Sequence, residues 1–328
     1  MTDLIKIAVD AMGGDNSPNK IIEGIILNHK SNKNLFYRIF GDENKINTLI
    51  NNKIDKLWLL VLLTITNHIS EGIFMGLRQA APGWCFVRGE VTTEIFLKGL
   101  VELGIPGVEM IDQQYWSMAN DLGLTIATHG GHASLTDGLN KLENHSRIED
   151  ELSKNIELAK EFGIVNLICF SGNRYDDITD AEGIDITARG LERVAKTAES
   201  ADVMLILELL NSKVNHPDYQ CDKTPWGVEV CQRVNSSHVK LLYDIYHMQI
   251  MEGDIIRNIR DNHQYIGHYH TAGNPGRNDL DDQQEIYYPP IFQAIADTGY
   301  DGFVGHEFTP KGDWKAALRQ ADSLCQVT

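Results

Sequence analysis

The chain has 328 residues, enough for one large α/β domain or two smaller ones with a sizeable buried core. Its net charge of -17, from 46 acidic against 29 basic residues, argues against a nucleic-acid backbone or an anionic membrane as partner. Five cysteines, widely spaced and without a C-x-x-C pair, fit a reducing compartment rather than a disulfide or zinc-finger framework. The start MTDLIKIAVDAMGG carries no cleavable signal pattern, so a cytoplasmic enzyme handling small molecules is expected.

Composition shifts near residue 56. Residues 1–56 are rich in Asn, Ile and Lys and read as strand (IKIAVDA), glycine-rich turn (MGGDNSP), helix (NKIIEGIILNHK), strand (LFYRIFGD) and helix (ENKINTLINN). Ser17-Pro18 supplies an N-cap and a first-turn proline. This is a partial Rossmann-like βαβα segment, too small for a firm core unless it docks on something else. Its glycine-rich turn is suited to a phosphate at a helix N-terminus only if further strands complete the sheet. Residues 57–82 form a junction, and its apolar run LWLLVLLTI is about half of the roughly 20 residues a spanning helix needs. A buried strand or helix turn is the expected form.

Over 83–328 the chain alternates strand and helix. The expected strands are WCFV (84–87), GVEMI (107–111), LTIATH (124–129), VNLICF (165–170), VMLILE (203–208), VKLLYD (239–244), IGHYH (266–270) and GFVGHE (302–307). They are continuous apolar runs, as parallel strands buried on both faces require. Between them lie helical stripes. One is Leu152, Ile156, Ala159 and Phe162 behind a Ser146/Glu149 capping box; another is Leu191, Val194, Ala195 and Ala198. A third, Val228, Cys231 and Val234, follows the N-cap and first-turn pair Thr224-Pro225. Eight such units in about 245 residues predict a (β/α)8 TIM barrel.

Active sites of these barrels sit at the C-terminal strand ends. There the last four strands carry Glu208, Asp244, His270 and Glu307. Taken singly, each could be a solvated loop charge or a cap for the next helix. Four consecutive strands doing so together point to a divalent metal site, and oxygen-dominated coordination with one imidazole suits Mg2+, Mn2+ or Co2+ better than zinc. His247, Arg277, Asn211 and His216 fall on the same rim, as do His129, His132, Asn173 and Arg174. Arg277, in a glycine-rich loop, is suited to clamp a substrate carboxylate or hydroxyl; a plain surface arginine is the alternative. Glu109 reads equally well as a buried structural carboxylate. A cation beside two carboxylates suits aldose–ketose chemistry, with Glu208 and Glu307 as the acid/base pair acting through an enediolate.

The segments ICFSGNR, ELLNSKVNHPDYQCD, LLYDIYHMQIMEGD, IRDNHQYIGHYHTAGNPGRND and VGHEF resemble the hydroxypyruvate isomerase family of xylose-isomerase-like barrels over about 84–326. The resemblance implies a metal on Glu208, Asp244, His270 and Glu307, both glutamates as acid and base, and substrate binding by His247 and Arg277. It implies conversion of hydroxypyruvate to tartronate semialdehyde, with a ketose 3-epimerase or another sugar isomerase as the alternative within the same fold. The strand-seven ligand is Gln in some relatives and His here. Residues 1–56 instead resemble the start of the phosphate acyltransferase of phospholipid synthesis, through KIAVDAMGGDNSPNKIIEGI and FYRIFGDE. A chimeric chain is the simplest account, and acyl transfer by the first segment is the reading from another class. A small hydroxy-keto acid or sugar is the expected partner, with no nucleic acid and no membrane; a homo-oligomer is left open.

Overall fold

The computed structural model describes residues 76–175 and 178–327, and before them residues 5–10, 20, 35–40 and 65–66. The chain divides into two compact units, Met1–Phe74 and Met75–Thr328. In the first, strands β1 (Ile5–Asp10), β2 (Leu35–Phe40) and β3 (Ile65–Thr66) pair in parallel in that order. The two expected strands are therefore present, and a third is drawn from the end of the apolar run. The Ser17-Pro18 cap, the MGGDNSP turn, the two helices of the βαβα reading and most of LWLLVLLTI lie outside the described residues.

The second unit is a closed barrel of eight parallel strands. These are β4 (Arg78–Pro82), β5 (Gly107–Glu109), β6 (Thr125–Gly130), β7 (Asn166–Cys169), β8 (Met204–Glu208), β9 (Val239–Asp244), β10 (Ile266–Thr271) and β11 (Phe303–His306). Seven of the eight expected strands are found. The first needs correction: WCFV is not a strand, because Gly83–Phe86 forms a short helix and the strand is RQAAP, just upstream. RQAAP has no β-branched or aromatic residue to mark it, whereas its neighbour has three aromatic or β-branched residues in four. The barrel closes through β4 and β11, with Phe303 opposite Arg78, Val304 opposite Gln79 and Gly305 opposite Ala80.

Two helix starts also differ from expectation. The helix His145–Phe162 begins one residue before Ser146, with Asn144 at the N-cap position and no side-chain cap, so there is no Ser146/Glu149 box. A capping box is found instead at Thr179 and Glu182, opening the helix Asp180–Ala201. In the helix Thr224–Val234 the N-cap position is Lys223, and the Thr224 hydroxyl donates to Glu252 at 2.6 Å. The apolar stripes lie as expected: Leu152, Ile156, Ala159, Leu191, Val194, Ala195 and Ala198 are all buried against the barrel wall.

The barrel interior is filled by side chains, as it is in this architecture generally. Ala80, Ala127 and Phe303 form one layer, and Ile168, Ile206 and Leu242 another. Small residues face the bulky ones. A Cβ on Gly107 would lie 2.7 Å from both Ala80 Cβ and Phe303 Cε1, so the glycine leaves room for that ring. No described helix is long and apolar enough to cross a membrane.

Candidate functional site

Each candidate ligand is delivered by its own strand. Glu208 closes β8, Asp244 closes β9, His270 is the penultimate residue of β10, and Glu307 directly follows β11. Since β8 to β11 are parallel neighbours, these ends share one rim. One ligand atom from each residue lies within 4.8 Å of all the others, and all four side chains are buried. His270 Nδ1 is 3.1 Å from Glu307 Oε2 and 3.8 Å from Glu208 Oε1.

The orientation of His270 is informative. Its Nε2 lies 2.9 Å from Glu109 Oε2, while Nδ1, on the carboxylate side, has no well-directed hydrogen-bond partner. A buried ring nitrogen 3.1 Å and 3.8 Å from two carboxylates, with a third beside them, takes either a proton or a metal cation at that point. Three oxygen donors and one imidazole fit a hard or borderline divalent ion. Asp244 does a second job that its position on a strand end also allowed. Its Oδ1 accepts from the His247 backbone N–H at 3.1 Å and so caps the helix Ile245–Met251, leaving Oδ2 to face the site.

The electrostatics follow from crowding three carboxyls out of water. Burial and then Glu307 push the Glu208 carboxyl well above the usual carboxylate range. Burial also raises Asp244, against the pull of Arg277. Glu307 goes the other way: burial opposes its charge, but Arg277 and His270 outweigh it and hold the carboxyl well below the ordinary value. His270 is likewise disfavoured by burial as a cation, and the charges of Glu307 and Glu109 more than restore it.

The other rim residues divide into two groups. Arg277 reaches in from its loop, pairs directly with Glu307 and lies 3.6 Å from Asp244 Oδ2. Its guanidinium carbon sits 5.4 Å from the Trp84 ring and 5.6 Å from the Tyr246 ring. His247 is fully buried, with Nε2 3.6 Å from Asp244 Oδ2 and Nδ1 held at 2.5 Å by the Asn211 amide. Asn211 also accepts from the Val214 and Asn215 backbone N–H groups, so it shapes the loop as well as orienting His247. The His216 ring packs edge-on to His247 with centroids 5.3 Å apart. All four expected substrate-side residues are thus gathered at or next to the cluster.

His129, His132, Asn173 and Arg174 are engaged elsewhere. His132 Nε2 accepts from the Phe170 backbone N–H, and His129 packs edge-on to Trp116. Arg174 is locked to Asp222 and to the Tyr219 carbonyl, and the Asn173 carbonyl accepts from Asn140. Two residues gain a place that the sequence did not assign. Trp84, 51% exposed, donates its indole N–H to Glu307 Oε1 at 3.1 Å. Glu109 turns out to bind His268 and His270 together. Glu109 did leave a signal: a charge inside the run GVEMI must find partners if that run is buried. Trp84 leaves none, because WCFV reads as a strand.

Residues 97–324 match the xylose isomerase-like TIM barrel family, and residues 5–70 match a fatty acid synthesis protein family. The chain is 28% identical over 173 residues to hydroxypyruvate isomerase of Escherichia coli, covering 53% of this chain and 66% of that one. It is 32% identical over 142 residues to 2-oxo-tetronate isomerase of Cupriavidus necator, covering 42% and 54%. The first segment is 67% identical over 51 residues to phosphate acyltransferase of Pelagibacter ubique, covering 16% of this chain and 15% of that protein. The chain spans about half the length of the curated relatives it matches first. Among solved structures, a family 2 AP endonuclease of Brucella melitensis aligns with a TM-score of 0.65 at 21% identity, over 74% of this chain and 97% of that one. An L-ribulose 3-epimerase aligns with a TM-score of 0.63 at 21% identity, over 75% and 92%. These two likenesses carry the fold. With the family match over the barrel and the closed parallel barrel itself, the chain belongs to the xylose isomerase-like TIM barrels, fused behind an acyltransferase-like first segment.

Proposed function

We propose that the barrel is an isomerase acting on a 2-oxo acid with a hydroxyl on the next carbon, with hydroxypyruvate to tartronate semialdehyde as its reaction. The observation that carries this reading is the facing pair Glu208 and Glu307 on either side of His270 Nδ1, with Asp244 completing the cluster. Glu208, Asp244, His270 and Glu307 would hold a divalent cation such as Mg2+, Mn2+ or Co2+. That ion would polarise the substrate carbonyl and its neighbouring hydroxyl and stabilise negative charge on both oxygens.

The chain's own groups supply the proton traffic. One of the two glutamates takes a proton from the hydroxymethyl carbon, and the electron pair moves toward the carbonyl oxygen to give the enediolate. The second glutamate returns a proton to the former carbonyl carbon, while the hydroxyl proton passes from one oxygen to the other. Nothing is gained or lost, so no redox partner is needed. Arg277 meets the substrate carboxylate with its planar fork. Its stacking between Trp84 and Tyr246 limits where that carboxylate can sit. His247 is kept neutral by burial and by Arg277, and its free Nε2 serves as a donor toward a substrate oxygen.

The names of the relatives support the substrate class, since hydroxypyruvate and 2-oxo-tetronate are both hydroxylated 2-oxo acids. The test is metal analysis of the full chain, followed by a substrate panel of hydroxypyruvate, 2-oxo-tetronate and free ketoses. Metal-dependent turnover of hydroxypyruvate is expected. Faster turnover of a free ketose would replace this reading by a sugar epimerase or isomerase, and bound metal without turnover of any panel member would leave a binding barrel.

A further inference from the structure

Beneath the rim, inside the barrel, lies a second group of ionisable side chains, of which only His270 enters the reaction above. Glu109, on β5, is fully buried, and each of its oxygens meets a different imidazole from β10. Oε1 is 3.0 Å from His268 Nε2, and Oε2 is 2.9 Å from His270 Nε2. The Thr128 hydroxyl donates to Oε2 at 3.2 Å. The alternation of a strand places residues 268 and 270 on the same face, so both rings enter the interior one above the other, with centroids 5.0 Å apart. Glu109 spans the barrel to reach them, and the room it needs is left by Gly305: a Cβ there would lie 2.5 Å from Glu109 Oε1 and 2.7 Å from His270 Cδ2.

We propose that Glu109 is a positioning residue for the cation site, holding the proton of His270 on Nε2 so that the Nδ1 lone pair faces Glu208, Asp244 and Glu307. The inference rests on the metal-site reading given above and adds a residue to it. Without an acceptor at Nε2 the imidazole is free to rotate or to carry its proton on Nδ1, where it would donate to Glu307 instead of offering a lone pair. A carboxylate behind a ligating histidine removes both alternatives at once. His268 shares the carboxylate but offers nothing to the rim, since both its nitrogens lie within the barrel.

The test uses the full chain and Mn2+ as the probe, by isothermal titration calorimetry. Glu109→Gln keeps the size but puts an amide against two imidazole nitrogens, and Mn2+ affinity should fall about 10- to 100-fold. His268→Gln leaves the Glu109–His270 contact in place and should keep wild-type affinity, which separates positioning from general damage to the buried group. Nitrogen-15 NMR of the wild type loaded with diamagnetic Mg2+ should find the His270 proton on Nε2, an observation that needs no variant to fold. Unchanged affinity in Glu109→Gln, an equal loss in His268→Gln, or a proton on Nδ1 would overturn the proposal. So would two Mn2+ ions per chain, which would make Glu109, His268 and His270 a site of their own. A wild type that takes up no Mn2+ overturns the metal reading itself, and this one with it.

Discussion

Arg277 forms a direct ion pair with Glu307, and the same guanidinium reaches within 3.6 Å of Asp244, so one cation on a loop serves two carboxylates on two strand ends. The same guanidinium lies over the Trp84 and Tyr246 rings at the rim. Replacing it by Gln removes both the charge and the fork. A charge-assisted hydrogen bond is worth about 1.5–3 kcal/mol, so kcat/KM for hydroxypyruvate should fall by roughly one to two orders of magnitude. The loss should appear in KM and in kcat, because the carboxylate is bonded to the carbon that is reprotonated and the same guanidinium pairs with Glu307. Steady-state kinetics decide it, and an unchanged KM would remove Arg277 from substrate binding.

Glu208→Gln and Glu307→Gln each remove one proton-transfer group while preserving shape. Positioned acid–base groups contribute about 10²- to 10⁴-fold, so turnover should fall by at least that range in either variant. The far-UV circular dichroism should stay unchanged, since the glutamates stand at strand ends rather than in the wall. Full turnover in either variant would end the acid/base assignment.

The site was legible in the sequence to the extent that it depends on strand ends. Four continuous apolar runs terminating in Glu208, Asp244, His270 and Glu307 state both the element and the position on it, because a parallel strand must stop being apolar where it leaves the barrel. What could not be read were relations across the barrel. Glu109 and His270 are 161 residues apart, and nothing local says that their side chains meet. The first strand escapes a local reading for a related reason: RQAAP is held as a strand by pairing with β5 and β11 on either side, not by its own propensity. Reading WCFV as a strand hides the place beside Glu307 that Trp84 takes from its helix.

All five cysteines are free and buried, and burial pushes their thiols up, Cys231 to about 12. A thiol whose folded value is raised favours the folded state below its unfolded value, near 8.5, and loses that advantage as pH rises from there toward the folded value. Each buried thiol should therefore cost about 1.4 kcal/mol of stability per pH unit above about 8.5. Melting temperature should fall steadily from about pH 8.5 upward, and Ellman's reagent should find five thiols only after unfolding. A thiol that reacts rapidly in the native protein at pH 8 would contradict this burial.

Every strand of the barrel finds both its neighbours within Met75–Thr328, β4 included. A chain starting at Met75 should accordingly close the same barrel and bind Mn2+ as the full chain does. Calorimetric titration of the two side by side checks this. A shortened chain that aggregates or loses the cation would make the first segment a requirement for the barrel.

Gly305 stands where β11 passes the Glu109–His270 contact, opposite His270 on β10 and Ala80 on β4. A methyl group there would lie 2.5 Å and 2.8 Å from the two Glu109 oxygens, and none of these groups is free to retreat, since Glu109 and both its histidines are fully buried. Overpacking of this kind costs about 1–3 kcal/mol, so Gly305→Ala should lower the melting temperature by several degrees. Gly130→Ala is the matched control, because a Cβ on Gly130 meets nothing within 4 Å and should be close to neutral. If the methyl group also turns the His270 ring, Mn2+ affinity will fall along with stability, whereas a loss of stability alone would mean that the barrel yields elsewhere and leaves Nδ1 pointing at the carboxylates.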